Sequence, residues 1–334
     1  MENNKIIIID TNDQKLIEPG LGLINTRSLR LQSMLGSNEH LTSIVIQAYN
    51  RLEKTKICVD SVLRFTPDHA YEMILIDNGS SDGTFDYFKS INYSRKTIIR
   101  VTKNTSSVVP FQQVINGRYI AYICNDTYVT SNWLSNLLTC INSDPRIGMA
   151  VPATSNASNL QGIDLSFNSL EEMFSKAKTH NISDPRKWNE RLRLVLQMGL
   201  FKREALDAAG ILLDYGFFHD FADDDTTFRI RRAGYKAILC KDTFVHHDHV
   251  RSEMSEVQKE EFNESIQSGK DDFSLKYFGL DAWKDVNNYE QELLSLLVQT
   301  DYSPEDTVEI LGIDVLCGTP ILEIKNKLRE YSIF

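Results

Sequence analysis

The chain has 334 residues, 42% of them hydrophobic, with 8 Pro and a formal net charge of −10. That length and apolar content support one substantial core with room for a smaller unit, and the acidic balance argues against charge-driven binding to nucleic acid or to an anionic membrane. No apolar run approaches the roughly 20 residues of a membrane helix, so the chain is expected to be soluble and cytoplasmic, with no integral membrane segment.

Residues 1–40 read as an irregular N-terminal extension carrying one short strand-like run, Ile6 to Ile9. That run is too short for a signal-peptide core and is followed by Asp10. From Leu41 the pattern sharpens. Ser43 to Asn50 predicts a strand, and Val59, Val62 and Leu63 recur at helical spacing after it. Met73 to Ile76 predicts a second strand, completing a βαβ unit with parallel pairing. Thr97 to Val101 and Tyr119 to Ile123 read as further strands, Trp133 to Ile141 as a helix, and Gly148 to Pro152 as another short strand. Leu192 to Met198 and Phe201 to Ala209 carry apolar positions on a helical period. Asp223 to Ala233 predicts a helix closed by Gly234. Tyr235 to Leu239 and Thr243 to Val245 read as two strand-like segments, and residues 253–300 as helices packed on the core. The five cysteines (Cys58, Cys124, Cys140, Cys240, Cys317) are scattered without a CxxC pair, which suggests neither a disulfide framework nor a zinc knuckle.

Four stretches carry chemistry. Asp77-Asn78-Gly79-Ser80-Ser81-Asp82-Gly83-Thr84 follows the strand at Met73 directly, so a buried strand ends in a carboxylate and a turn, where open α/β sheets bind nucleotides. The plain alternative is a strand-to-helix turn with Asp82 as N-cap. Asn125-Asp126-Thr127 lies just past another strand; it is either a turn or a site offering the hard oxygen that a metal bridging two phosphates needs. Asp223-Asp224-Asp225 places three like charges at a helix start, either as a solvated N-terminus favoured by the helix dipole or as the source of a general base. His246, His247 and His249 form a histidine cluster, and strand alternation puts His247 and His249 on one face, as loop packing or as metal ligands.

In order, these segments resemble a family 2 glycosyltransferase with the GT-A fold, from Leu41 to Ser252. Ser43 to Arg51 resembles the first nucleotide-binding strand, Asp77 to Thr84 matches the DNGSSDGT signature, and Ile123 to Thr127 resembles the LNNDT form of the DxD metal motif. Gly199 to Leu206, Gly210 and Ala222 to Tyr235 resemble the acceptor-side segment and the EDxDLxxRxxxAGY helix. Two positions depart from the pattern: Cys124 stands in place of the first DxD acid and Ala222 in place of the Glu before the base.

The resemblance implies an α/β architecture, a Rossmann-like mixed, mostly parallel sheet flanked by helices, with a helical C-terminal extension. Together with the reading of the flanks, the chain divides into the extension 1–40, a glycosyltransferase domain 41–252, a helical extension 253–305 and a β-α tail 306–334, which is either a plain appendage or, by its similarity to the opening strand and loop of a class I methyltransferase, the start of such a domain. The resemblance assigns donor binding to Ala48, Tyr49, Asn50, Arg51, Asp77, Gly79 and Asn125, with Asp77 on the base, and a divalent metal (Mn2+ or Mg2+) to Asp126 and His247. Asp223, Asp224 or Asp225 is left as the catalytic base. The implied reaction is inverting transfer of a hexosyl or N-acetylhexosaminyl group from a UDP-sugar, such as UDP-GlcNAc, to a hydroxyl of a flagellin-like protein or a surface glycan. The alternative, suggested by Cys124 and Ala222, is a non-catalytic sugar-nucleotide-binding module of a larger protein.

Overall fold

The structure, a computed structural model, describes residues 5–10, 41–67, 69–104, 114–157, 161–191, 193–210, 217, 221–249, 255–277, 279 and 281. Its strands are β1 (Lys5–Ile9), β2 (Thr42–Ala48), β3 (Tyr71–Asn78), β4 (Lys96–Val101), β5 (Tyr119–Cys124), β6 (Thr127–Tyr128), β7 (Ile147–Thr154), β8 (Trp188–Glu190), β9 (Met198–Lys202) and β10 (Lys236–His247). The α-helices are α1 (Leu52–Phe65), α2 (Thr84–Ser90), α3 (Trp133–Ser143), α4 (Leu170–His180), α5 (Arg203–Ala209), α6 (Ala222–Arg232) and α7 (Glu256–Lys276). The expected β-α tail, most of the N-terminal extension, Cys317 and the helical extension beyond α7 lie outside the described residues.

The ten strands of the described residues join one sheet in the order β1-β4-β3-β2-β5-β9-β7-β10-β6, with β8 added beside β10. The pairs β1/β4, β4/β3, β3/β2, β2/β5 and β7/β10 are parallel. β9 runs antiparallel to both of its neighbours, β5 and β7, so β7 and β10 point the same way as β5. The carboxyl ends of β2, β3, β5 and β10 therefore share one edge of the sheet, the edge at which such sheets bind ligands.

Strand alternation divides the apolar side chains between two faces. Ile44, Ile46, Met73 and Leu75 pack with Val59 and Val62 of α1 and Leu134, Leu137 and Ile141 of α3. Val45, Ile74, Ile76 and Ile99 face the other way, toward Ala205 and Leu206 of α5 and Ile230 of α6. Covered on both faces, the parallel strands are continuous apolar runs, as a two-sided burial requires.

Three expectations change in the structure. Residues 193–197 form no helix, and Met198–Lys202 is a strand; Leu194 and Leu196 enter one core while Met198 and Leu200 enter the other, and a short apolar run buried on two sides has no period that separates strand from helix. Lys236–His247 is one strand rather than two segments, with register shifts between Lys236 and Ala237 and between Cys240 and Phe244 that absorb the polar stretch. Asp82 does not occupy the N-cap of α2, which is Gly83; its Oδ1 accepts from the Thr84 amide and hydroxyl and its Oδ2 from the Leu52 amide, so one carboxylate serves the starts of two helices. The run at Ile6 belongs to a full strand that extends the sheet beside β4.

Candidate active site

At the carboxyl end of β3 the chain turns sharply. Asp77 is fully buried; its Oδ1 accepts from the Ser80 amide at 2.9 Å, and its Oδ2 lies 3.6 Å from Arg100 Nε without a hydrogen-bond partner. Arg100 in turn stacks its guanidinium 4.4 Å from the Phe85 ring. Gly79 sits at φ +83°, and a Cβ there would lie 2.6 Å from the backbone of Lys103 and Asn104, so only glycine permits this close approach.

The β2 end is held against that turn. Ala48 lies beside Asp77 in the sheet register. Asn50 and Arg51 both adopt left-handed backbone conformations, a cost that neighbours offset. The Asn50 amide donates to Ser80 Oγ, the Ser81 amide donates to Asn50 Oδ1, and Asn125 Nδ2 donates to both the Asn50 carbonyl and Thr55 Oγ1. Tyr49 is nearly half exposed beside this loop. The donor residues expected from sequence are thus brought to one rim, linked through Ser80 and Asn125.

Asp126 follows β5 and is 7% exposed. Its Oδ2 lies 2.7 Å from Arg51 Nη1 and its Oδ1 3.6 Å from His247 Nε2. Burial above all holds the His247 imidazole below its ordinary pKa, with Asp126 opposing and His249 assisting, so its neutral form prevails at neutral pH. His247 and His249 stack at 5.7 Å between ring centroids, while His246 turns to the other face, against Phe167 and Tyr128 and with Nδ1 2.7 Å from Ser155 Oγ. Burial foremost, then Asp126 and Asp223, pushes the Cys124 thiol up to about 12. A neutral thiol at the first DxD position supplies no hard ligand.

Among the described residues no group of three or more His, Cys, Asp and Glu side chains could hold a metal ion. The candidate donors expected from sequence, the Asp126 carboxylate and the His247 imidazole, are the pair that the structure brings together. Two ligands at right angles on one ion, each about 2.1 Å away, stand about 3 Å apart, so the observed 3.6 Å needs only slight closure. Mg2+-type ions bind through one or two protein ligands together with substrate phosphates and waters, and these residues fit such a site.

The three acids at the start of α6 diverge. Asp126 and Asp223 both raise the pKa of the buried Tyr122 and the half-buried Cys124, adding to the effect of burial, so the Asp223 charge is felt at the end of β5. Asp224 is ion-paired with Arg193. Asp225, grouped with them by sequence, is turned the other way: it is fully buried, with Oδ2 2.8 Å from Arg229 Nε and Oδ1 2.7 Å from Lys276 Nζ. Sequence separations of 31 for Arg193 with Asp224 and 75 for Arg51 with Asp126 left these pairs without any local signal.

Residues 43–208 match the family described as Glycosyl transferase family 2. A poly(ribitol-phosphate) beta-glucosyltransferase of Bacillus spizizenii is 27% identical over 99 residues, which is 28% of this chain and 16% of that protein. Among solved structures, GalNAc-T7 with UDP, GalNAc and Mn2+ superposes with a TM-score of 0.51 at 14% identity, covering 85% of this chain and 59% of that one. The mannosyltransferase PcManGT from Pyrobaculum calidifontis, in complex with GDP-Man and Mn2+, also scores 0.51 at 12% identity, over 93% and 95% of the two chains. S. aureus TarS 1-349 scores 0.51 at 12% identity over 78% and 72%. This chain thus spans well under two thirds of the curated relative and of the GalNAc-T7 chain. Residues 43–208 thus match the family 2 glycosyltransferase model, and the fold is that of the GT-A glycosyltransferases.

Proposed function

We propose that this domain performs inverting, metal-dependent transfer of a sugar from a UDP-sugar to an acceptor hydroxyl. The observation that carries the reading is convergence: Asp77 at the end of β3, the Asp126–His247 pair just past β5 and the charge of Asp223 felt there all fall at the carboxyl edge of the sheet. Asp77 would accept from the nucleobase at the floor of the rim, with Tyr49 and the Asn50–Arg51 turn beside it. Asp126 and His247 would hold the divalent ion, which offsets charge on the departing diphosphate. Asp223 would take the proton of the acceptor hydroxyl as that oxygen bonds to the anomeric carbon and the sugar–phosphate bond breaks on the opposite side. One carboxylate base suffices for such a single displacement. Asp224 and Asp225 are engaged with Arg193 and with Arg229 and Lys276, which supports Asp223 as the base among the three.

UDP is supported by GalNAc-T7, solved with that nucleotide, although PcManGT was solved with GDP-Man. The acceptor is a hydroxyl of a surface glycan or a protein, and the Bacillus spizizenii relative, named for poly(ribitol-phosphate), favours the surface polymer. The test is nucleotide release from UDP-glucose, UDP-galactose, UDP-GlcNAc, UDP-GalNAc and GDP-mannose, with Mn2+ or Mg2+ and then with EDTA. Metal-dependent release from one UDP-sugar, lost in Asp126→Ala and in Asp223→Asn, is expected. The neutral Cys124 and Ala222 favour a second reading, a module that binds the sugar nucleotide without turning it over. Binding of every donor with release of none would establish it.

A further inference from the structure

The start of α6 has no side-chain cap from its N-cap residue. That residue is Phe221, in the left-handed region at φ 71°; a phenylalanine there is strained. Three consecutive acids follow, and adjacent like charges oppose the turn even as the helix dipole favours each. Besides the Arg193–Asp224 pair, this turn is held by residues distant in sequence, at the end of α7. Asp225 is buried completely, and its two oxygens have different jobs. Oδ2 is taken within α6 by Arg229 Nε at 2.8 Å. Oδ1 is taken by α7 and the residue just after it: Lys276 Nζ at 2.7 Å and the Tyr277 hydroxyl at 2.6 Å. Lys276 and Arg229 are themselves fully buried, and Phe217, Phe221, Phe228, Phe273 and Tyr277 form the apolar cluster that seals the contact. Phe221, the strained residue, is packed in the same cluster.

Burial alone would lift the Asp225 carboxyl, and Arg229 and Lys276 outweigh it, keeping it ionised. A charged group so enclosed has one low-energy arrangement, because leaving any partner exposes a buried charge. Asp225 is two residues from Asp223 on the same helical turn, so the arrangement that satisfies Asp225 also sets where the Asp223 carboxylate stands.

We propose that Lys276 and Tyr277 are positioning residues: through Asp225 they brace the first turn of α6 and so hold Asp223 against the acceptor. The inference rests on Asp223 being the base of the proposed reaction. It extends the working unit past the residues 43–208 that match the family to the end of α7. The nucleotide rim is built by β2, β3 and β5 and makes no use of the brace, which separates donor binding from turnover.

The experiment measures the full chain as wild type, Tyr277→Phe, Lys276→Met and Asp223→Asn. UDP affinity with Mn2+ is read by titration, and kcat and KM are read from UDP release across the UDP-sugar panel with water as acceptor. Tyr277→Phe keeps the ring in its cluster and removes only the hydroxyl. Expected are UDP affinity and donor KM within about twofold of wild type, with kcat down about threefold to tenfold for Tyr277→Phe and up to about a hundredfold for Lys276→Met, the scale of a misplacement near 1 Å. If Lys276→Met fails to fold, Tyr277→Phe decides alone. Equal losses in UDP affinity and kcat would reduce the contact to general support of the fold and overturn the inference. Wild-type kcat in Tyr277→Phe and Lys276→Met beside an inert Asp223→Asn would overturn it while leaving the base assignment intact. An active Asp223→Asn would overturn both.

Discussion

Arg51 and Asp126, 75 positions apart in sequence, meet at 2.7 Å, and this pair puts a fixed cation on the same carboxylate that faces His247. Arg51 starts α1 from a left-handed backbone and keeps about half of its side chain exposed, so it is free to turn outward when a stronger cation or a diphosphate arrives.

That competition has a measurable sign. Arg51→Gln removes the rival for Asp126, and a half-exposed ion pair of this kind amounts to about 1 kcal/mol. Mn2+ binding without nucleotide should tighten by roughly fivefold, while UDP binding without metal should weaken. Isothermal titration of each ligand alone checks both directions; looser Mn2+ binding in the variant would show that Arg51 supports the ion rather than competing with it.

Cys124 should be chemically silent. With its thiol pushed up to about 12 by burial and the nearby carboxylates, only about one molecule in ten thousand carries a thiolate at pH 8. Iodoacetamide at that pH is expected to leave Cys124 unmodified in the folded protein and to leave donor turnover unchanged, which peptide mass spectrometry and an activity assay will read together. Cys124→Ser is likewise expected to keep most of the activity, since neither group serves as a metal ligand.

Gly79→Ala should destabilise the donor turn. The new methyl meets backbone at 2.6 Å and the residue must keep φ +83°, a combination on the order of 1–3 kcal/mol. The expected result is a Tm lowered by several degrees together with weaker UDP binding, because the residues displaced, Lys103 and Asn104, abut the turn that carries Asp77. An unchanged Tm would mean that the 103–104 segment yields without cost.

The Asp225 brace should make stability pH-dependent in acid. Its carboxyl is held below the ordinary range by Arg229 and Lys276 against the opposing effect of burial. A depressed carboxyl contributes stability that is complete above the unfolded value of about 3.9 and is lost as pH falls toward the folded value. Wild type should therefore lose stability steeply below about pH 4. Asp225→Asn strands two buried cations, should cost about 3–5 kcal/mol at pH 7, and should show a flatter acid limb in urea titrations at pH 7 and pH 3.5.

Much of where these residues sit was legible in sequence because the signals are local. Asp77 and Gly79 announce themselves as a carboxylate and a turn at the end of an apolar strand, Asn125-Asp126 in the same way, and the α6 helix by its period and by Gly234. Each signal spans a few residues, the range over which backbone sterics and strand or helix periodicity operate. The run from Leu192 to Met198 misled for the same reason, since apolar side chains there serve two cores and mimic a helical repeat.

What the sequence determined by itself is therefore the parallel α/β core, the edge where its strands end and the acids that gather there. Only the tertiary structure decided which partners those acids meet. Asp223, Asp224 and Asp225 are neighbours of one residue type, and nothing local distinguishes them. Their partners do: the Cys124 edge for Asp223, Arg193 for Asp224, and Lys276 and Tyr277 for Asp225. Those partners come from distant positions in the chain, and which one each carboxylate meets depends on how β9, α6 and α7 pack, because a charge removed from water is set by the particular counter-charge that the fold delivers to it.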